Sequence, residues 1–237
     1  TIVSTKLARS VCEAYGVELM EVLTGFKFIG EKIKINDEFG SKHFQFGFEE
    51  SYGYLAGLDV RDKDAVVAAM LICNMAAASF EAGETLVDRL AHVYEKYGFG
   101  FEEAVSVTLE GKEGIEKIQN SMKELRLELE TCSDLSSAQC LIGGPQVLAV
   151  RDYKTSTRYE FTQTGVIKSN IDLPKSNVLL YELGGDKGLD WACARPSGTE
   201  PKLKIYFGCY DKDEAAALLR LASTKQEVSE YVKTKLI

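Results

Sequence analysis

Apolar positions along the chain fall into blocks whose spacing switches between helix and strand. Leu7, Ala8, Val11 and Cys12 recur at i, i+1, i+4 and i+5, so Ser4 to Tyr15 reads as a helix capped by Ser4 and ended by Gly16. Val17 to Leu23 reads as a strand, and Phe26 to Ile35 as a short amphipathic helix entered through Thr24-Gly25. Alternating polar and aromatic residues from His43 to Phe48 predict another strand. The longest apolar run, Ala65 to Phe80, falls short of the roughly 20 residues needed to cross a bilayer and has charges on both flanks. It predicts a helix buried on nearly all sides in the core of a layered domain, with Asp62 and Asp64 at its positive end. A helix from Thr85 to Tyr97 and a strand from Ala104 to Leu109 follow.

From Glu113 to Glu130, Ile115, Ile118, Met122, Leu125 and Leu129 form one stripe at spacings of 3 and 4, an amphipathic helix packed on its own domain. Ser133 to Pro145 is small and polar and ends in Gly143-Gly144-Pro145, the best candidate hinge. Beyond it the runs Val147–Tyr153, Arg158–Phe161, Val178–Tyr181, Trp191–Ala194 and Leu203–Tyr210 read as strands separated by turn residues. Two helices, Asp213 to Ser223 and Lys225 to Lys235, close the chain. Strand–helix alternation predicts an α/β sheet domain over 1–130. After a 131–145 linker, strands followed by helices predict a compact α+β domain over 146–237.

Composition narrows the function classes. Hydrophobic residues make up 45% and aromatics 10% of 237 residues, enough to bury a core and exclude disorder as the dominant state. Lys and Arg number 28 against 36 Asp and Glu, a net charge of −8. That balance argues against sequence-independent nucleic-acid binding, and any anionic ligand must be held by a local site. No membrane association is expected. Six cysteines form no C-x-x-C pair, and with His43 and His92 the only histidines a zinc cage is not expected. Several cysteines lie in apolar runs, which suits reduced buried thiols and a cytoplasmic setting. The chain opens at Thr1-Ile2-Val3 with no signal-peptide pattern, which reads as a start inside a folded domain.

Four segments carry candidate chemistry. Arg195-Pro-Ser-Gly-Thr-Glu-Pro201 lies between two predicted strands. Arg195 offers a bidentate fork, Ser197 and Thr199 offer hydroxyls, and Gly198 lets backbone N–H groups approach an anion. Lys202 and Lys204 follow on one face of a strand. The same residues would also serve as a plain inter-strand turn. Gly47-Phe-Glu-Glu-Ser-Tyr-Gly53 sets two carboxylates beside a serine in a glycine-punctuated loop, suited to sugar hydroxyls, a metal or acid–base work, or simply a solvated acidic turn. Arg61-Asp-Lys-Asp64 leads into the apolar run and places Lys63 at a helix end that prefers anions, which reads as a site for a charged ligand or simply a solvated cap. Thr24 to Gly30 is the fourth, with a simple strand-to-helix turn as its alternative.

Taken in order, TGFKFIG, FGFEESYGYL, VRDKDAVVAAM and RPSGTEPKLKIYF closely resemble landmarks of the α-D-phosphohexomutase superfamily, in its phosphoglucomutase/phosphomannomutase branch. The resemblance runs through the third and fourth domains of that family and covers essentially the whole chain. It implies a Rossmann-like mixed-sheet α/β/α domain, N-terminally truncated, followed by a smaller α+β domain of TATA-binding-protein-like fold. It implies interconversion of hexose 1-phosphate and hexose 6-phosphate through a phosphoserine enzyme, with hexose 1,6-bisphosphate as activator and intermediate.

By that resemblance Glu49 and Ser51 match the sugar-recognition loop, and Thr24 and Gly25 a neighbouring loop that touches the sugar. Lys63 matches a cleft lysine for proton transfer or charge stabilisation. Arg195, Ser197, Gly198 and Thr199 match a phosphate clamp, and Lys204 a basic position beyond it. The family's T-x-S-H-N-P serine loop and D-G-D-x-D-R loop for Mg²⁺ do not occur in this sequence. No metal site is therefore expected in this chain, and the chain alone is expected to bind sugar phosphate weakly without turnover. The N-terminal domains of the same polypeptide are the expected partners, with the glycine hinge closing the last domain over a shared cleft. Phosphopentomutase activity and a non-catalytic sugar-phosphate-binding module are the competing readings.

Overall fold

The computed structural model describes residues 1–40, 42–139, 141–198 and 200–236. Two compact units divide the chain, Thr1–Gly98 and Phe99–Ile237.

In the first unit, helix α1 (Leu7–Ala14) starts after Lys6, while the Ser4 hydroxyl accepts a hydrogen bond from the Thr1 ammonium at 3.0 Å instead of capping the helix. Gly16, with a left-handed backbone, follows its end as expected. Val17 to Leu23 forms no strand; one backbone bond, Ile2 N–H to the Val22 carbonyl at 2.8 Å, is too little to make a ladder. Helix α2 (Phe26–Phe39) packs Phe26, Ile29 and Ile33 with Val22 and Leu55 into a small core. Strands β1 (Phe46–Glu49) and β2 (Gly53–Ala56) form an antiparallel hairpin closed by the Glu49–Gly53 pair.

Helix α3 (Ala65–Glu81) is capped by the Asp64 carboxylate, which accepts from the Val66 and Val67 N–H groups, each at 3.0 Å. Contrary to the buried helix expected here, only Ser79 is buried, and Val66, Met70, Ile72, Met75 and Phe80 are exposed. Its strand neighbour is β2, and a two-stranded hairpin is too narrow to cover a helix that is apolar on every side. Helix α4 (Leu86–Tyr97) begins at a reciprocal capping box between Thr85 and Asp88. Among the described residues no single helix is long and apolar enough to cross a membrane.

The second unit opens with strand β3 (Phe99–Thr108) and helix α5 (Gly111–Thr131), then a short helix α6 (Leu135–Ala138). Strands β4 (Val147–Asp152), β5 (Thr157–Thr162), β6 (Gly165–Asn170), β7 (Leu179–Leu183), β8 (Trp191–Pro196) and β9 (Lys202–Asp211) follow, then helix α7 (Glu214–Thr234). The order β3-β9-β8-β7-β4-β5-β6 makes one antiparallel sheet. Leu203, Ile205, Phe207 and Cys209 point to one face of β9, where Ile118, Met122, Leu125 and Leu129 of α5 and Leu221, Val228 and Val232 of α7 cover them. Ile115, the first residue of the predicted stripe, is exposed. Truncating a buried position such as Leu125 to alanine costs about 2–5 kcal/mol.

Side-chain bonds tie the last helix to this sheet. The Arg220 guanidinium donates to Asp190 (2.8 Å), Asp211 (2.6 Å) and the Tyr210 carbonyl (2.6 Å), and buried Asp190 accepts the Tyr210 N–H at 2.8 Å. On the opposite face Glu182 accepts from both Arg158 and Arg151. Burial alone would raise its carboxyl, but these guanidinium bonds and charges hold it at about 2.

The chain is a mixed α/β protein, as expected, but among the described residues its first unit holds a two-stranded antiparallel hairpin where a mixed sheet was expected, and the seven-stranded antiparallel sheet lies in the second unit. Its internal division differs from the expected one. β3 pairs with β9 along ten residues and α5 packs in the same core, so the second unit begins at Phe99 instead of after a 131–145 linker, and it is the larger of the two. The two closing helices are one continuous α7, because Thr224, at the expected break, is buried and helical. Strand β6 escaped sequence reading because its outer residues are polar and exposed.

Gly143-Gly144-Pro145 is not a hinge between the units. Leu141 and Ile142 are core residues of the second unit, and Gly143, at φ +86°, lies where a Cβ would come 2.6 Å from Tyr231 Cβ. Gly143→Ala is accordingly expected to destabilise the second unit by about 2 kcal/mol, from the left-handed backbone and the clash together. The shift of the chemical-denaturation midpoint measures it, and an unchanged midpoint would return the segment to the status of a free linker.

Candidate functional site

Each unit carries one cluster of the predicted site residues. In the first, the hairpin tip, the start of α2 and the loop before α3 come together. The Asp64 N–H donates to the Tyr54 carbonyl at 2.8 Å, which seats the 61–64 loop on the hairpin. Gly53 closes the hairpin opposite Glu49, and a Cβ there would come 2.7 Å from Lys63 Cδ and 2.9 Å from Glu49 Cγ. The bare glycine backbone thus lets the Lys63 stem lie across the strand beside Glu49. The Lys63 ammonium sits 5.3 Å from the centre of the Phe26 ring, which follows Thr24-Gly25, and donates to Asp62 at 2.8 Å.

These contacts join Glu49, Lys63 and the Thr24–Gly25 turn into one neighbourhood. Glu49 is buried, whereas Ser51 is exposed at the tip beside Tyr52, which holds φ +61°. The second carboxylate, Glu50, accepts the Thr1 hydroxyl at 2.7 Å. Glu49, not Glu50, is therefore the carboxylate that shares a neighbourhood with Lys63. Lys63 holds its proton more tightly than an ordinary lysine, first because of the Asp62 hydrogen bond and then through the charges of Asp62 and Glu49.

In the second unit, β8 and β9 carry the basic cluster. Arg195 and Lys204 are directly opposed in the ladder, so both side chains leave the same face of the sheet. Opposed like charges are unfavourable in a strand pair unless something negative lies near them. The Arg195 guanidinium rests over the Tyr206 ring at 5.7 Å. Tyr206 lies on the face of Lys202 and Lys204, so the period-2 argument extended two residues would have found it. Below this row the Ser197 N–H donates to the Lys202 carbonyl at 2.7 Å, and the Ser197 hydroxyl accepts the Glu200 N–H at 3.3 Å. Gly198 is exposed at the turn, and Lys202 pairs with Glu200 at 3.1 Å. Thr199 lies outside the described residues.

Other reactive groups are structural. Cys193 and Cys209 are buried in the sheet, and burial with the nearby Asp190 charge pushes Cys209 up to about 12. Cys73, in contrast, is exposed on α3. Among the described residues no group of three or more His, Cys, Asp or Glu side chains is placed to hold a metal ion.

Comparison with known proteins follows the same division. Residues 1–97 match the family model described as phosphoglucomutase/phosphomannomutase, alpha/beta/alpha domain III, and residues 176–222 match the C-terminal domain of the same family. A phosphoglucomutase of Staphylococcus aureus strain MRSA252 is 40% identical over 220 residues, covering 91% of this chain and 36% of the relative. The phosphoglucomutase of strain MSSA476 is 39% identical with the same coverage. In fold, the chain is similar to the open form of Paramecium parafusin, a phosphoglucomutase, with a TM-score of 0.60 at 16% identity over 95% of this chain and 35% of that one. The chain therefore spans about a third of the length of these proteins, matching their C-terminal part.

An expected outcome tests the first cluster. The Lys63 ammonium should titrate above the usual lysine value of 10.5, and Asp62→Asn should bring it down by removing the hydrogen bond that favours the charged form. Nitrogen-detected NMR titration of the side chain reads this directly; a midpoint at or below the ordinary value, unmoved by the substitution, would contradict the geometry.

Proposed function

The chain belongs to the phosphoglucomutase/phosphomannomutase family, and from that premise we propose that it supplies the sugar- and phosphate-recognition part of an enzyme interconverting hexose 1-phosphate and hexose 6-phosphate. The observation that carries the reading is the opposition of Arg195 and Lys204 across the β8–β9 ladder. A phosphate dianion set between them turns a repulsive pair into a clamp. Arg195 grips two oxygens with its planar fork, Ser197 donates its hydroxyl, and exposed Gly198 allows backbone approach. Tyr206 beneath the guanidinium and the Ser197–Lys202 backbone bond hold the clamp in shape before ligand arrives, which lowers the ordering cost of binding.

The first unit offers the complementary chemistry. Glu49 accepts hydrogen bonds from sugar hydroxyls, Ser51 can donate or accept, and the Thr24-Gly25 turn lies beside the aromatic seat of Lys63. A general acid or base works best with a pKa near the operating pH, whereas Lys63 is held above the ordinary lysine value. Charge stabilisation is therefore the better role for Lys63, by attraction to the negative charge that moves with the phosphoryl group. Hexose phosphates, hexose 1,6-bisphosphate among them, present both a polyol and a dianion and so suit both clusters. Magnesium, which the family resemblance implies, has no donor cluster among the described residues, and none of these roles passes through it. The N-terminal domains of the same polypeptide are the partners this reading requires, and the buried thiols suit a cytoplasmic enzyme.

Calorimetric titration of the 237-residue chain with glucose 6-phosphate tests the assignment. Arg195→Ala should weaken binding at least roughly tenfold through loss of a bidentate charged contact, and Glu49→Gln should weaken glucose 6-phosphate while sparing inorganic phosphate. A coupled mutase assay on the same chain should show no turnover. Unchanged affinity in the Arg195 variant would contradict the phosphate assignment, and equal losses for both ligands in the Glu49 variant would contradict the sugar assignment.

A further inference from the structure

The register that opposes Lys204 to Arg195 continues across the other side of β9. There Lys204 pairs with Ser106 and Lys202 with Thr108, both on β3. Opposed residues in an antiparallel pair share a face, so Ser106, Lys204 and Arg195 form one row over three adjacent strands. The alternating Val105 and Val107 pack against the core, which turns Ser106 and Thr108 outward, and both are exposed. Ala104, opposite Tyr206, is the next residue of β3 on that face, and its single methyl group leaves the space beside the row open.

Charge on this face is uneven. Arg195, Lys202 and Lys204 bring three cations to two neighbouring rows, and Glu200 is bound to Lys202. Lys204 has no ion pair among the described residues. Neighbouring Cβ atoms along such a row stand about 5 Å apart. Ser106 therefore faces the same side of the sheet as the two cations, one strand beyond Lys204, where an anion held low between them would meet its hydroxyl. The three terminal oxygens of a phosphate exceed what one guanidinium fork can satisfy, so a further donor on the far side of Lys204 has an acceptor to meet.

We propose that Ser106 is a phosphate-binding residue, its hydroxyl donating to the phosphate oxygen that Lys204 also contacts. The site would then span three strands instead of ending at the loop between β8 and β9. The inference rests on the phosphate assignment above but concerns a residue that none of the sequence landmarks contains.

The test is titration of the 237-residue chain with inorganic phosphate and, separately, glucose 6-phosphate, followed by amide NMR. Ser106→Ala should weaken both ligands roughly fivefold, with no change in thermal midpoint because the side chain is exposed, and Ser106→Thr should restore affinity by returning the hydroxyl. Arg195→Ala is measured in parallel. Loss of binding in that variant with wild-type affinity in Ser106→Ala overturns the role of Ser106 and leaves the phosphate assignment standing. Failure of Ser106→Thr to restore affinity also overturns it. If neither alanine variant weakens binding, or the wild-type chain shows no response to phosphate, both readings fall.

Discussion

The ladder of β9 is the constraint on which the second unit depends. Ten consecutive residues pair with β3 on one side, and six pair with β8 on the other. Side chains alternate with a period of two, so one register sends Leu203, Ile205, Phe207 and Cys209 into the core under α5 and α7. The same register sends Lys202, Lys204 and Tyr206 to the opposite face. A slip of one residue would bury two lysines and expose four core side chains, an exchange costing far more than a domain's net stability of about 5–15 kcal/mol. Stability and ligand chemistry are thus set by one hydrogen-bonding choice. The basic row need not be stabilising in itself, because the core on the reverse side holds it in place.

The first unit solves a similar problem with less material. Its hairpin has only four residues per strand, and its small core gathers around Phe26, Ile29, Ile33 and Leu55. What aligns Glu49 with Lys63 is the missing side chain at Gly53, which lets the lysine stem cross the strand, and the Phe26 ring, which receives its ammonium. Phe26 is at once a core residue and the floor of the cluster, so packing and charge placement are linked at one side chain.

Much of this was legible in the sequence where a local rule decides the outcome. The 3-and-4 stripe of Ile118, Met122, Leu125 and Leu129, the helix ending at Tyr97 and most strands of the second unit follow from periodicity and end signals. The two clusters came from the ordered family landmarks, since each segment by itself read as well as a plain turn. What could not be read depends on distant partners. Val17 to Leu23 has a strand's composition but no ladder to join. Ala65 to Phe80 has a core helix's composition, yet its neighbours leave it exposed. Gly143-Gly144-Pro145 has a hinge's composition, but Tyr231, from the last helix, closes on it. Ser106 carried no local signal at all, and only pairing with Lys204 brings it to notice.

Native-state hydrogen exchange of the β9 amides tests the central claim most directly. If the β9 register anchors both core and basic row, the bonded amides between Leu203 and Tyr210 should exchange only through global opening, with a free energy equal to that from denaturant unfolding. Exchange of the same amides through low-energy local opening, while α5 and α7 stay protected, would show that the strand is not the anchor and that the row it carries is not held in advance.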